Sequence, residues 1–134
     1  MKVDSKKFRC TLFVKFLLFI LYVPVIFGAV WIVDRPEAEQ AMRRWPAACF
    51  AHLLLFCLLS QWGAGWKPGQ SAQGWLIAYR IAMGTNELLF LALGCLIIAQ
   101  ISVFVPFPIL VWVVPVIHVV CTIWSIHTWT NREK

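Results

Sequence analysis

The chain has 134 residues, of which 61% are hydrophobic and 13% charged, against roughly 45–50% and about 25% in an average soluble domain. With a mean hydropathy of +0.78, it departs from a soluble domain in the direction of an integral membrane protein, with room for four spans of roughly 20 residues and little else. The net charge of +6 sits mostly at the ends of apolar runs, so it reports membrane topology and not a surface for nucleic acid.

Residues 1–9 form a polar head carrying Lys2, Lys6, Lys7 and Arg9. The apolar run at residues 10–33 is interrupted only by Lys15, whose long stem allows its ammonium to snorkel to the nearby surface. This run is longer than the 7–15 apolar residues of a secretory signal and no A-x-A site follows it, so it is expected to be a retained first span. Pro24 and Gly28 are expected to kink it or to leave room for a neighbour. Residues 34–45, DRPEAEQAMRRW, place Asp34 as a cap, Pro36 in a first turn, Glu37 and Glu39 early, and Arg43 and Arg44 late. That order suits a helix dipole and predicts a short amphipathic surface helix, either a solvated connector or a docking site for a partner.

The second span is expected at residues 46–66, with His52, Ser60 and Gln61 as its polar residues, and KPGQSAQG at 67–74 reads as a turn. The third span is expected at 75–104 and the fourth at 109–129, joined by a tight hairpin at VPFP, residues 105–108. Residues 130–134 form a polar tail. If the N-terminus is cytoplasmic, that side collects Lys2, Lys6, Lys7, Arg9, Lys67, Arg80, Arg132 and Lys134, and the other side Arg35, Arg43 and Arg44. Both termini are therefore expected on the cytoplasmic side. Trp31, Trp45 and Trp112 would then fall near the outer interface, and Trp62, Trp66, Trp75 and Trp129 near the inner one.

The third span carries the chemistry. Arg80, Gly84, Glu87, Leu91, Gly94 and Ile98 recur at three- and four-residue intervals and share one helical stripe. A charge at mid-membrane costs several kcal/mol when it faces lipid, so this stripe is expected to be buried. Gly84 and Gly94 on the same stripe would let another helix approach closely. A turn around residues 70–71 brings Glu87 within two residues of the level of His52, about 3 Å along the axis. A turn around residues 105–107 puts Glu87 level with Ser125, and His118 level with Gly94. The fourth span has its own polar stripe of Pro115, His118, Thr122 and Ser125.

These registers predict an intramembrane polar cluster of Glu87 and Asn86 with His52 on one side and Ser125 or Thr122 on the other. His118 lies on the same fourth-span stripe, and Arg80, two turns from Glu87, is a reachable second partner. Such a cluster is either a hydrogen-bonded lock between helices or a carboxylate that handles a proton or substrate. His52 and His118 are offset by about 8 Å along the axis, which a haem would bridge only between tilted helices, so no cofactor is expected. Cys10, Cys49, Cys57, Cys95 and Cys121 are odd in number and form no CxxC, which predicts small membrane-helix residues and neither a disulfide nor a metal site. HExxH, GxSxG and a glycine-rich phosphate loop are absent, and no enzymatic activity is expected.

Two stretches, WPAACFAHLLLF at 45–56 and IHVVCTIWSIHTWTNREK at 117–134, with NELLF at 86–90 between them, resemble a group of small uncharacterised bacterial multispan membrane proteins. That group is itself distantly likened to the multispan channel component of the chloroplast inner-envelope translocon. The resemblance covers about residues 45–134 and implies a compact helical bundle; it carries over no functional residue.

The sequence thus predicts an all-α bundle of four transmembrane helices with short loops, in a bacterial inner membrane. It would act through helix packing, as an accessory subunit of a membrane complex or as a self-associating bundle, with the lipid bilayer, a membrane protein or a second copy as partner and no nucleic acid. Two other classes fit the same residues. One is a small proton-coupled transporter or channel using Glu87 with His52. The other is an immunity-type protein that neutralises a membrane-active toxin within the bilayer.

Overall fold

A computed structural model describes residues 5–32, 35–64, 72–106 and 108–130. They form four helices, α1 (Ser5–Ile32), α2 (Pro36–Ala64), α3 (Ala72–Ser102) and α4 (Pro108–Thr130). Each is long and apolar enough to cross a membrane. Even the shortest, α4 with 23 residues, reaches about 35 Å at 1.5 Å per residue, against a hydrocarbon core of about 30 Å. Asp34, Trp66, the 67–71 part of the expected turn, Phe107 and the tail from residue 131 lie outside the described residues, as does the side chain of Trp75.

Consecutive helices pack side by side and α4 closes against α1. The contacts fix antiparallel directions. Phe8 stacks on Phe56 and Phe19 packs against Trp45 between α1 and α2. Thr11 meets Trp129 and Tyr22 meets His118 between α1 and α4. The Ser5 end of α1 and the Thr130 end of α4 therefore lie at one end of the bundle, here termed proximal, and the Ile32 end of α1, the Pro36 end of α2, the Ser102 end of α3 and the Pro108 end of α4 at the other, distal end. Each helix turns one stripe inward. On α1 it is Thr11, Lys15, Leu18, Tyr22, Ile26 and Ala29; on α4 it is Val114, His118, Thr122, Ser125 and Trp129. Their three- and four-residue steps are those of a helix face packed in a bundle.

The expected surface helix at 34–45 is not a separate element. Residues 36–64 form one continuous helix through Pro46. Ala38, Ala41, Trp45, Cys49, His52, Phe56 and Ser60 are all buried, and their spacing runs unbroken across the proline. The face that the acids and arginines were expected to present to solvent thus has a buried back. Pro46 costs the Met42 carbonyl its helical donor, which long helices in apolar surroundings tolerate.

The tryptophans divide differently from the expected belts. Trp31 is 91% exposed and Trp112 39%. Trp45, however, is buried, stacked between Tyr22 at 4.1 Å and Phe90 at 5.2 Å, with its indole N–H donated to the Phe19 carbonyl at 3.2 Å. Trp129 is buried too, its N–H donated to Thr11 Oγ1 at 2.8 Å. An indole that finds an internal acceptor loses its reason to sit at an interface.

The two stripe glycines also differ. A Cβ on Gly94 would collide with the Tyr22 hydroxyl and come within 3.0 Å of His118 Nδ1, whereas a Cβ on Gly84 would meet nothing within 4 Å. Gly94 makes room for two side chains and not for a helix backbone, and Gly84 seats no close approach at all. Gly94→Ala is therefore expected to destabilise the bundle by about 1–3 kcal/mol through overpacking. Gly84→Ala should be neutral or gain up to about 1 kcal/mol of helix propensity. Thermal unfolding of the two variants in detergent measures the difference.

Candidate functional site

Inside the bundle all four helices place a polar side chain at one level. Lys15 from α1 and Glu87 from α3 are each 3% exposed, with Nζ 2.6 Å from Oε1. Ser125 from α4 donates its hydroxyl to the same Oε1 at 2.9 Å. His52 from α2 lies with Nε2 at 2.8 Å from Lys15 Nζ and 3.7 Å from Glu87 Oε2. An ammonium has only donors, so Nε2 is the acceptor of the Lys15 contact and the ring proton belongs on Nδ1. The ammonium also sits 4.6 Å from the centroid of the Phe56 ring, so a carboxylate, an imidazole nitrogen and an aromatic face surround it.

This arrangement corrects the expectation for Lys15. Its ammonium does not snorkel; it is the buried counter-ion of Glu87. The role anticipated for Arg80 is thus taken by a lysine from another helix, while Arg80 lies half-buried on the flank of α3. The buried stripe of α3 runs through Tyr79, Met83, Glu87, Phe90, Gly94 and Ile98, one residue to the side of the expected Arg80 and Gly84. Asn86 is buried and reaches the His52 carbonyl at a long 3.4 Å, which ties α3 to α2 next to the charge pair.

Thr122 is buried on the same face of α4 as Ser125, but among the described residues its Oγ1 has no hydrogen-bond partner, and neither has His52 Nδ1 or Glu37 Oε2. His118 lies one level further from the termini. Its Nδ1 pairs with the Tyr22 hydroxyl at 2.7 Å, beside Gly94. Phe90 stands between the two histidines, stacked on His52 at 4.1 Å and edge-on to His118 at 4.9 Å. The gap a haem would need between the imidazoles is filled by this ring. Among the described residues no group of three His, Cys, Asp or Glu side chains is placed to hold a metal ion.

No family model matches this chain, and no curated protein or solved structure does. The site must be read from its own chemistry. Two layers enclose it. Toward the termini lie Phe8, Phe56 and Trp129, packed at centroid distances of 5.2–6.4 Å. Toward the distal end lie Phe19, Tyr22, Trp45 and Phe90, and then the apolar core of Ile26, Ala29, Ile97, Ile98, Ile101 and Val114.

Burying two ions costs several kcal/mol each, which only their mutual attraction and added hydrogen bonds offset, so removing one partner is far worse than removing both. Lys15→Met should cost about 3–5 kcal/mol, because Glu87 is left uncompensated. Lys15→Met combined with Glu87→Leu should recover most of that loss. Denaturant titration of the two single variants and the double variant checks it: a strongly non-additive cycle is expected, and additivity would contradict the pair.

Proposed function

We infer that the protein is a non-enzymatic integral membrane protein of a bacterial inner membrane, with both termini cytoplasmic, acting through helix packing as an accessory subunit of a membrane complex. The observation that carries this reading is the enclosure of the charge pair. Glu87 is neutralised by Lys15 and satisfied by Ser125, and aromatic and aliphatic layers lie on both sides along the bundle axis. A carboxylate that is matched and sealed is chemistry suited to holding helices together.

The outward surface supports the same reading. Only 28–39% of the most apolar stretch of each helix is buried within the bundle. Leu88, Leu89 and Leu96 on α3 and Val116, Val120 and Ile123 on α4 all point outward, an apolar surface fit for lipid or for the helices of a partner. In sequence, Lys2, Lys6, Lys7, Arg9, Lys67, Arg132 and Lys134 lie in or next to the segments that begin or end at the proximal side, against Arg35, Arg43 and Arg44 for the distal side, a bias that favours a cytoplasmic placement of the proximal end.

A second reading rests on one contact. His52 Nε2 lies 3.7 Å from Glu87 Oε2, near enough for imidazole and carboxylate to exchange a proton if the Lys15 contact opens. That would make the cluster the coupling site of a proton-driven transporter. Proteoliposomes with a pH-sensitive dye inside separate the two. Packing predicts that an imposed pH gradient decays no faster with the wild-type chain than in empty vesicles. Faster decay with the wild-type chain would contradict packing, and its loss in a Glu87→Gln variant that still elutes from size exclusion as the wild type does would assign the coupling to this site. For orientation, green fluorescent protein fused to either terminus should fluoresce in cells, since it matures only on the cytoplasmic side.

A further inference from the structure

At its distal end the bundle carries an apolar groove of about 260 Å³ between α1 and α4, open on the outside. Pro24, Gly28 and Ile32 form one wall and Val105, Leu110 and Val111 the other. Its length along α1, from Pro24 to Ile32, is about 12 Å at 1.5 Å per residue. A Cβ on Gly28 would meet nothing within 4 Å, so the missing side chain leaves open space. The volume falls below the roughly 300–1,000 Å³ of a site for a drug-sized molecule. An open, elongated apolar slot of this volume suits a single hydrocarbon chain.

A cation stands at its distal mouth. Arg35, immediately before α2, is exposed and holds its guanidinium 4.6 Å from the centroid of the Phe104 ring. Phe104 lies in the connection after α3 and is followed by Val105 of the groove wall. The aromatic face restrains the guanidinium without neutralising its charge. An apolar slot that ends in a restrained guanidinium, where the helices leave the hydrocarbon, has the two-part chemistry of a phospholipid: acyl chain below, phosphate above.

We propose that this groove binds one acyl chain of an anionic phospholipid whose headgroup rests on Arg35. The proposal rests on the membrane reading above and adds a ligand to it. It accounts for the glycine at position 28 as clearance for the chain, and for the arginine beyond Ile32 as the headgroup contact.

The test begins with sodium carbonate extraction of membranes containing the full chain. Release into the supernatant would overturn the membrane reading and this site with it, whereas retention leaves the lipid site to be judged alone. Retained protein is then purified in mild detergent and examined by native mass spectrometry with equimolar palmitoyl-oleoyl phosphatidylglycerol and phosphatidylcholine. The expected result is about a five-fold preference for phosphatidylglycerol, the worth of one basic residue near an anionic headgroup. Arg35→Gln should abolish the preference but keep an adduct, and Gly28→Phe should remove the adduct while leaving the unfolding temperature within a few degrees. Equal adducts of the two lipids on the wild type would overturn the proposal. So would adducts that survive Gly28→Phe, or a dimer that Gly28→Phe dissociates, since a second copy would then fill the groove.

Discussion

The bundle depends on a lysine ammonium and a glutamate carboxylate that meet out of contact with water. Neither belongs in an apolar interior alone, since each ion carries a desolvation cost of several kcal/mol. Together, with Ser125 on the same carboxylate oxygen and with His52 and Phe56 around the ammonium, they form a compact neutral unit. The unit draws on all four helices, so it constrains all four at once. A shift of α1 by one residue would turn Lys15 by about 100° toward the outside and strand Glu87. Hydrophobic packing alone tolerates such slips, particularly in lipid, where the outside is as apolar as the inside.

The remaining polar contacts extend this constraint along α1. Thr11 accepts from Trp129 and donates to the Lys7 carbonyl. Tyr22 pairs with His118 in the space that Gly94 leaves. Thr11, Lys15 and Tyr22 lie on one stripe and fasten α1 at three levels, to α4, to α3 and α2, and again to α4. Between and beyond these levels the core is aromatic and then aliphatic. Most of the polar chemistry at the level of the charge pair is spent within the bundle, and apart from the 39–44 stretch of α2 the outward faces are largely apolar. A molecule built this way meets its surroundings through helix surfaces, which is why packing within a membrane is the function its chemistry supports best.

Much of this was legible from the residue pattern. Four apolar runs yield four helices, because no other element satisfies the backbone over such lengths of apolar chain. Short hairpins fix depth, and that reasoning pairs Glu87 with Ser125 and places His118 beside Gly94. Lys15 lies close enough to the polar head for snorkelling to satisfy its charge, so the run around it does not by itself point inward. A turn at residues 33–34 nevertheless puts Lys15 level with His52, and Thr11, Lys15 and Tyr22 already mark a polar stripe. In the 34–45 segment the charges dominate the pattern, although Ala38, Ala41 and Trp45 continue the inward stripe of His52 and Phe56. Arg80 and Gly84 illustrate the angular limit of stripe counting: at 100° per residue the six residues span about 80°, and the buried sector is displaced to one side of them, taking in Glu87, Gly94 and Ile98 and leaving Arg80, Gly84 and Leu91 half-buried. Trp45 and Trp129 went inward because the Phe19 carbonyl and the Thr11 hydroxyl satisfy their N–H groups, and no sequence spacing announces such acceptors.

The most direct test of the central pair is a charge exchange. Lys15→Glu alone places two carboxylates in the core and Glu87→Lys alone two ammonium groups, so each single variant should be lost from the membrane fraction. The combined variant, Lys15→Glu with Glu87→Lys, should accumulate and elute from size exclusion as the wild type does. If the single variants accumulate normally, or if the exchange fails to rescue them, the two side chains do not hold the bundle together.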